Sequence, residues 1–230
     1  MTNSTETTTS PLRIDIVSDV ACPWCVVGYR QLAAALEASG QEHEIHWHPF
    51  ELNPNMPPEG ENMVEHIARK YGTTIEQSRE NRARIKAAGA QVGFEFAFDD
   101  AIRMHNTFDL HQLLTWASTM DDGAAKQLAL KEALFSAHFT RHAQIADRET
   151  LADIAASVGL DRAEALAVLD DQRFANAVRE EEGFWQSQGI NGVPAMIFDR
   201  KHLVTGAQGV ENYTQILSQL AQLRAEQPQA

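Results

Sequence analysis

The feature that most constrains the fold of this chain is Cys22-Pro23-Trp24-Cys25, which holds the only two cysteines in 230 residues. A strand-like run, Leu12 to Asp19, precedes it, and a helix-like run, Val26 to Ala38, follows it. At a strand-to-helix junction the first sulfur lies at a helix N-terminus, where the macrodipole and free backbone N–H groups favour the thiolate. Pro23 suits the first helical turn, because an N–H there has no partner within the helix.

The spacing of the two cysteines predicts a reversible dithiol/disulfide couple. Cys25 lies about one helical turn after Cys22, within reach of a disulfide. The alternatives are half of a zinc site or two buried thiols. A structural zinc site usually takes four ligands, and the sequence holds no second cysteine pair to complete one. The strand-and-helix context therefore favours redox chemistry, with no metal.

The segment Ser18-Asp19-x-x-Cys22-Pro23-Trp24-Cys25-x-x-Gly28 resembles the active-site segment of the DsbA-like thioredoxin-fold oxidoreductases, and in particular of their FrnE-type branch. Further similar segments are Phe50 to Pro54, Asn106 to His111, Val193-Pro194 and Gly206 to Gln208. The resemblance covers most of the chain. It implies the α/β class, with a thioredoxin fold and a large α-helical insertion between the two halves of the sheet. It also implies thiol–disulfide oxidoreductase or disulfide-isomerase activity.

The periodicity of the chain agrees with that architecture. His43 to Phe50 alternates as a second strand, and strand, helix, strand implies a parallel right-handed crossover. From Asn62 to Ser187 the pattern is almost wholly helical, with a short extended segment at Phe94 to Phe98. A helix is expected from Met104 to Met120, and no strand among the helices that follow. The expected parts are a disordered leader at 1–10, a thioredoxin-like domain at 11–60 and 189–225, and a helical insertion domain at 61–188.

The resemblance assigns roles to the residues of the tetrapeptide. Cys22 is the attacking thiol and Cys25 the resolving thiol, joined by a mixed-disulfide intermediate. Pro23 and Trp24 shape the substrate surface beside the sulfur. The helix N-terminus further predicts that Cys22 is exposed and the more acidic thiol, and that Cys25 is buried.

The resemblance also places Val193 and Pro194 opposite the cysteines. Thioredoxin-like folds hold a cis proline at this point. A cis Val193–Pro194 bond turns the Val193 backbone outward, where its N–H and C=O pair with an extended peptide. Both residues are therefore expected to bind substrate.

Four further polar residues are candidates for the site. Asp19 is either a proton acceptor for Cys25 or a cap of the helix. Asn106 and His111 belong to a motif that lies across from the cysteines in the family, although Asn106 also suits a helix cap and His111 an ordinary surface histidine. Gln208 matches the segment after the last strand and is included in the candidate pocket.

Composition limits the classes of partner that the protein is expected to bind. The net charge of −13 argues against nucleic acid and anionic membranes. The first ten residues lack the features of a signal peptide, and no stretch approaches the ~18 apolar residues of a membrane span. We therefore expect a cytoplasmic protein with a transient, catalytic disulfide, which needs no other cofactor. The expected partners are thiol or disulfide proteins or small thiols, glutathione among them.

Two other functions and one other site stay open. A glutathione-dependent isomerase or transferase has the same fold, but typically carries Ser in place of Cys22 and lacks the second cysteine. A holdase-type chaperone would use the helical block and neither cysteine. His46 and His48 share a strand face, which is either a polar surface or a metal site, and the lack of a further ligand favours the surface.

Overall fold

The structure, a computed structural model, describes residues 10–226. The expected leader therefore lies outside the described residues except for Ser10, whose carbonyl accepts a 2.5 Å hydrogen bond from Arg224. In chain order the elements are β1 Leu12–Ser18, α1 Pro23–Ser39, β2 His43–Pro49, β3 Glu61–Asn62, α2 Met63–Tyr71, α3 Ile75–Gln91, β4 Arg103–Met104, α4 Phe108–Ser118, α5 Gly123–Phe139, α6 Arg148–Ser157, α7 Arg162–Asp171, α8 Ala175–Ser187, β5 Ala195–Phe198, β6 His202–Thr205 and α9 Val210–Glu226.

The main sheet has four strands in the order β2-β1-β5-β6. β1 pairs parallel with β2 and antiparallel with β5, so that Ile14 lies between Ile45 and Phe198. β5 pairs antiparallel with β6. This is the predicted α/β thioredoxin fold, and helices α2 to α8 form the predicted insertion between β2 and β5. The exact domain boundaries stay predictions.

Helix α1 is buried on two sides, and this positions the dithiol. Leu32 and Leu36 pack against the sheet and α9 in one core. Cys25, Val26 and Val27 pack against α4, α5 and their neighbours in another. Each fully buried aliphatic side chain contributes about 1.5–3 kcal/mol. The insertion is thus anchored on the same helix that carries both cysteines.

The insertion contains a short ladder that the periodicity did not predict. Glu61–Asn62 pairs antiparallel with Arg103–Met104, so the expectation of a helix from Met104 is wrong. Asn62 then starts α2 by accepting from Val64 N at 3.0 Å. Helix α4 begins only at Phe108, whose N–H donates to Asn106 Oδ1 at 2.8 Å. Two-residue strands have no period to detect, because the pattern needs several alternating residues.

The expected extended segment at Phe94 to Phe98 forms no strand. Its phenyl rings pack together and against Phe139, with the centroids of Phe96 and Phe139 5.3 Å apart. Gly89 permits this, because a Cβ there would lie 2.5 Å from Phe96 Cδ2. The alternating phenylalanines of this segment therefore pack against helices and do not form part of a sheet.

His138 in the insertion gives the fold a predicted sensitivity to acid. Burial, with the nearby His105, lowers the pKa of His138 to about 4. The pKa of a histidine in an unfolded chain is ~6.5. Between about pH 4 and about pH 6.5 the unfolded chain therefore binds more protons than the folded one, and the stability of the fold falls as the pH falls. We expect His138 to account for about 2 kcal/mol of lost unfolding free energy between about pH 7 and about pH 5.

Urea unfolding of His138→Gln at both pH values measures this contribution. The variant should lose less stability on acidification than the parent. His43→Gln is the matched control, because His43 is exposed. An equal acid-induced loss in the parent and His138→Gln would contradict the prediction.

Candidate active site

The dithiol lies at the start of α1, as the sequence predicts. Cys22 is the residue that caps the helix, and Pro23 occupies its first position. The Cys22 N–H donates to the Asp19 carbonyl at 3.2 Å, and the Cys25 N–H donates to the Cys22 carbonyl at 3.1 Å. Both cysteines are free thiols in this structure. The backbone turn thus holds both sulfurs at one helix end.

The loop between α8 and β5 faces this turn. The Val193–Pro194 peptide bond is cis, which confirms that prediction. The Val193 carbonyl accepts a hydrogen bond from Cys22 Sγ at 3.6 Å. The structure therefore brings Cys22, Val193 and Pro194 together although 171 positions separate the first two.

Gly28 makes this close approach possible. A Cβ built at Gly28 would lie 3.2 Å from Pro194 Cγ and 3.2 Å from Met196 Cε. Such contacts are tighter than ordinary packing, so a Cβ at this position would require the neighbouring side chains or α1 to shift by a few tenths of an ångström. The glycine of the active-site segment is thus explained by the distance between helix and loop.

Cys22 is buried, contrary to the prediction from the sequence. It keeps only 4% of its surface, and Cys25 keeps 1%. Cys22, Trp24 and Val193 instead line a cavity of 590 Å³ whose other wall is formed by α2 and α3 of the insertion. Cys25 does not line this cavity. The two thiols therefore differ more in their access to the cavity than in their burial.

The expected order of acidity is reversed in the reduced pair. The hydrogen bond to Cys25, together with burial, raises the pKa of Cys22 well above its usual value. Burial opposes ionisation of Cys25 too, but the hydrogen bond from Cys22, the Ser18 hydroxyl and the charge of Lys131 outweigh it and lower the pKa of Cys25. Of the two thiols in the reduced pair, Cys25 thus has the lower pKa.

Asp19 lies fully buried below the dithiol. Its Oδ1 accepts from Ala21 N at 3.1 Å, and its Oδ2 accepts from Leu52 N at 2.7 Å. Burial raises its pKa, but the contact with His111 and the two backbone N–H groups outweigh it, so the pKa of Asp19 is lowered. The carboxylate is thus charged at neutral pH. Its role as the proton acceptor of Cys25 stays a prediction.

The remaining candidates occupy different places. His111 is buried rather than on the surface; its Nε2 donates to the Phe50 carbonyl at 3.1 Å and lies 3.6 Å from Asp19 Oδ1. Asn106 donates to Glu51 Oε1 at 2.9 Å and so links the segment Phe50 to Pro54 to the start of α4. Gln208 donates to the Thr205 carbonyl at 2.5 Å. None of the three lines the Cys22 cavity.

Lys131 on α5 was not among the site residues predicted from the sequence. It keeps 1% of its surface, and its Nζ lies 5.3 Å from the Trp47 ring and 5.2 Å from the Phe135 ring. Burial lowers the pKa of Lys131 to about 8, against the opposing charges of Cys25 and Asp19. The available signal was its spacing, three and four residues before Leu134 and Phe135, which places a lysine on the apolar stripe of a helix.

No three His, Cys, Asp or Glu side chains within residues 10–226 are arranged to hold a metal ion. His48, one of the candidate strand histidines, instead contacts Asp15 at 2.8 Å and Glu181 at 2.5 Å. His46 lies 3.7 Å from Glu44. In the same part of the chain, no helix is long and apolar enough to cross a membrane.

Comparison with known proteins agrees with this geometry. The family model described as a DSBA-like thioredoxin domain matches residues 13–218. The chain belongs to this family. Its members' structures include a probable DsbA oxidoreductase from Streptomyces coelicolor, which is 32% identical, with a TM-score of 0.85 and coverage of 95% of this chain and 92% of that chain. The FrnE-type branch within the family stays a prediction.

Two further relatives are more distant. The Bacillus subtilis protein YwbO, described as uncharacterized, is 25% identical over 209 residues, which is 90% of this chain and 96% of YwbO. The cytosolic disulfide reductase DsbM from Pseudomonas aeruginosa shares the DsbA-like fold at 20% identity, with a TM-score of 0.63 and coverage of 92% and 99%. DsbM has also been solved with GSH. This family membership makes the chain a protein of the thiol–disulfide oxidoreductase kind.

Proposed function

We propose that the protein exchanges disulfides through Cys22 and Cys25, with Cys22 as the attacking thiol. The access of the two sulfurs to the cavity supports this assignment, because Cys22 lines the cavity beside the Val193 carbonyl and Cys25 does not. The lower pKa of Cys25 in the reduced pair is compatible with Cys22 as the attacking thiol. The hydrogen bond between the sulfurs lets the proton move to Cys25 as Cys22 attacks, which leaves the thiolate on the accessible sulfur.

The proposed exchange has two steps. The Cys22 thiolate attacks a substrate disulfide, forms a mixed disulfide and releases the first substrate sulfur as a thiolate. Cys25 then gives its proton to that departing thiolate and attacks Cys22 Sγ. This breaks the bond between Cys22 and the substrate, closes the Cys22–Cys25 disulfide and releases the second substrate thiolate, which takes a proton from water. The substrate gains two electrons and the enzyme dithiol loses two. The same steps in reverse oxidise a substrate dithiol, and the potential of the pair sets the direction.

The cavity favours a small thiol such as glutathione as a partner. Its 590 Å³ falls in the range of ~300–1,000 Å³ for small-molecule sites. Its lining includes the cations Lys70 and Arg84, the carboxylate Glu80 and the amides Asn53, Gln77 and Asn81. The excess of positive charge suits a peptide thiol with free carboxylates. The GSH complex of DsbM supports this reading, and its cytosolic location supports a cytoplasmic role for the present protein.

Reduction of a glutathionylated peptide tests the proposed function. We expect turnover by the parent, coupled to glutathione, and its loss in Cys22→Ser. Arg84→Ala should raise KM by about tenfold, the size of a lost charge-assisted hydrogen bond. Arg79→Ala is the matched control, because Arg79 lies on the same helix and pairs with Asp100 outside the cavity.

The rival functions predict different results. A glutathione isomerase or transferase would conjugate glutathione to chlorodinitrobenzene in the parent and in Cys25→Ser, without disulfide exchange. A holdase would suppress aggregation equally after loss of both cysteines. Either pattern, with no cysteine-dependent turnover, would overturn the proposal.

A further inference from the structure

A second cavity, of 480 Å³, opens on the sheet face opposite α1 and α9. Ile14, Ile16 and Phe198 point to the α1 and α9 side. Asp15 and Ile197 alternate with them and line the second cavity, whose far wall is α8. None of its lining residues belongs to the Cys22 cavity. The function proposed above therefore makes no use of it.

A buried ionic network forms one side of this cavity. Asp15 is 1% exposed and accepts from Arg13 at 2.6 and 3.0 Å and from His48 at 2.8 Å. His48 also contacts Glu181 at 2.5 Å. Burial lowers the pKa of His48, but the two carboxylates outweigh it and raise that pKa. Protonated His48 and Arg13 balance the charges of Asp15 and Glu181, whereas neutral His48 leaves the network with one net negative charge.

The other side is apolar and unusually open to solvent. Phe184 is 53% exposed and Leu203 51% exposed, and both line the cavity. Trp185 lies beside them, 5.1 Å from Phe184, and its Nε1 is buried without a hydrogen-bond partner in the described chain. Exposed apolar side chains that face one cavity mark a binding surface rather than a random surface.

Two cations stand at the rim. Arg200 and Lys201 form the turn between β5 and β6, are exposed, and make no ion pair within residues 10–226. The adjacent Asp199 is already paired with Arg224 at 3.4 Å. No carboxylate pairs with these two side chains in the described part of the chain, so they supply positive charge at the rim of the cavity, in a protein whose net charge is −13.

We propose that this second cavity binds a small aromatic carboxylate, with its ring between Phe184 and Leu203 and its carboxylate at Arg200 and Lys201. The volume lies within the ~300–1,000 Å³ range of small-molecule sites, which are mostly apolar with a few polar groups that fix orientation. The apolar wall supplies the contact area, and the rim charges select an anion over a neutral ring. The proposal is independent of the chemistry at Cys22.

The test uses naphthoate as the probe and naphthylmethanol as its uncharged match. Methyl NMR of the full chain should show shifts at Ile197 and Leu203, with naphthoate binding about tenfold more tightly than the alcohol. Combined Arg200→Ala and Lys201→Ala changes should reduce naphthoate affinity to that of the alcohol and leave the alcohol unchanged. Phe184→Ala, at a site that is 53% exposed, should weaken the binding of both probes.

Arg84→Ala is the control at the Cys22 cavity and should leave both affinities unchanged. The proposal is overturned if the shifts appear at Ile67 and Ile85 of the Cys22 cavity instead, or if naphthoate and the alcohol bind equally. Full naphthoate affinity after loss of both rim cations, or after Phe184→Ala, would also overturn it.

Discussion

Cys25→Ser is expected to accumulate mixed disulfides that Cys22→Ser does not form. In Cys25→Ser the accessible sulfur remains in the cavity and the resolving thiol is absent, so each adduct waits for an external thiol. In Cys22→Ser the remaining sulfur lies outside the cavity lining and is only 1% exposed, so we expect substrate not to reach it. We expect at least about tenfold more adduct in Cys25→Ser, measured by non-reducing electrophoresis after acid quenching of cells.

This comparison separates access from acidity. If the lower pKa of Cys25 decided which thiol attacks, Cys22→Ser would carry more adduct than Cys25→Ser. The variant with both substitutions is the control and should carry none. Equal adduct in the two single variants would exclude Cys22 as the sole attacking thiol and reopen the non-redox functions.

Lys131→Met is expected to stabilise the fold and to impair exchange. The pKa of Lys131 is lowered to about 8 from the usual 10.5, so the unfolded chain binds its proton more tightly. The cost of the buried charge is fully present below about pH 8 and declines toward about pH 10.5. Methionine of similar length should raise the unfolding free energy at neutral pH by about 2–3 kcal/mol.

The same change removes a positive charge that lowers the pKa of Cys25. We therefore expect the thiolate to form at higher pH and the pH–rate profile of exchange to move upward. Urea unfolding and the pH dependence of thiolate absorbance measure the two effects. Lys126→Met, on the same helix but only partly buried, is the control and should produce neither. A stabilised variant with an unchanged thiolate titration would limit Lys131 to a structural role.

The sequence, with the family resemblance that its motifs carry, determined the fold class and the thiol–disulfide oxidoreductase kind of chemistry. The CxxC spacing, the strand before it and the helix after it are local patterns, and they correctly placed Cys22 at a helix start. The cis Val193–Pro194 bond came from the family resemblance, since no local pattern specifies it. Long elements such as α1 and α9 have enough turns for a period to show, whereas the two-residue β3 and β4 do not.

Only the tertiary structure decided what surrounds the sulfurs. Helices α2 and α3 cover Cys22, and α5 brings Lys131 among the aromatic rings below the sheet. The second cavity needs β1, β2, the β5–β6 turn and α8 at once. Periodicity shows which face of an element is buried but not which element covers it. Exposure, thiol acidity and cavities depend on contacts between distant segments, because each is set by the groups that displace water around one atom.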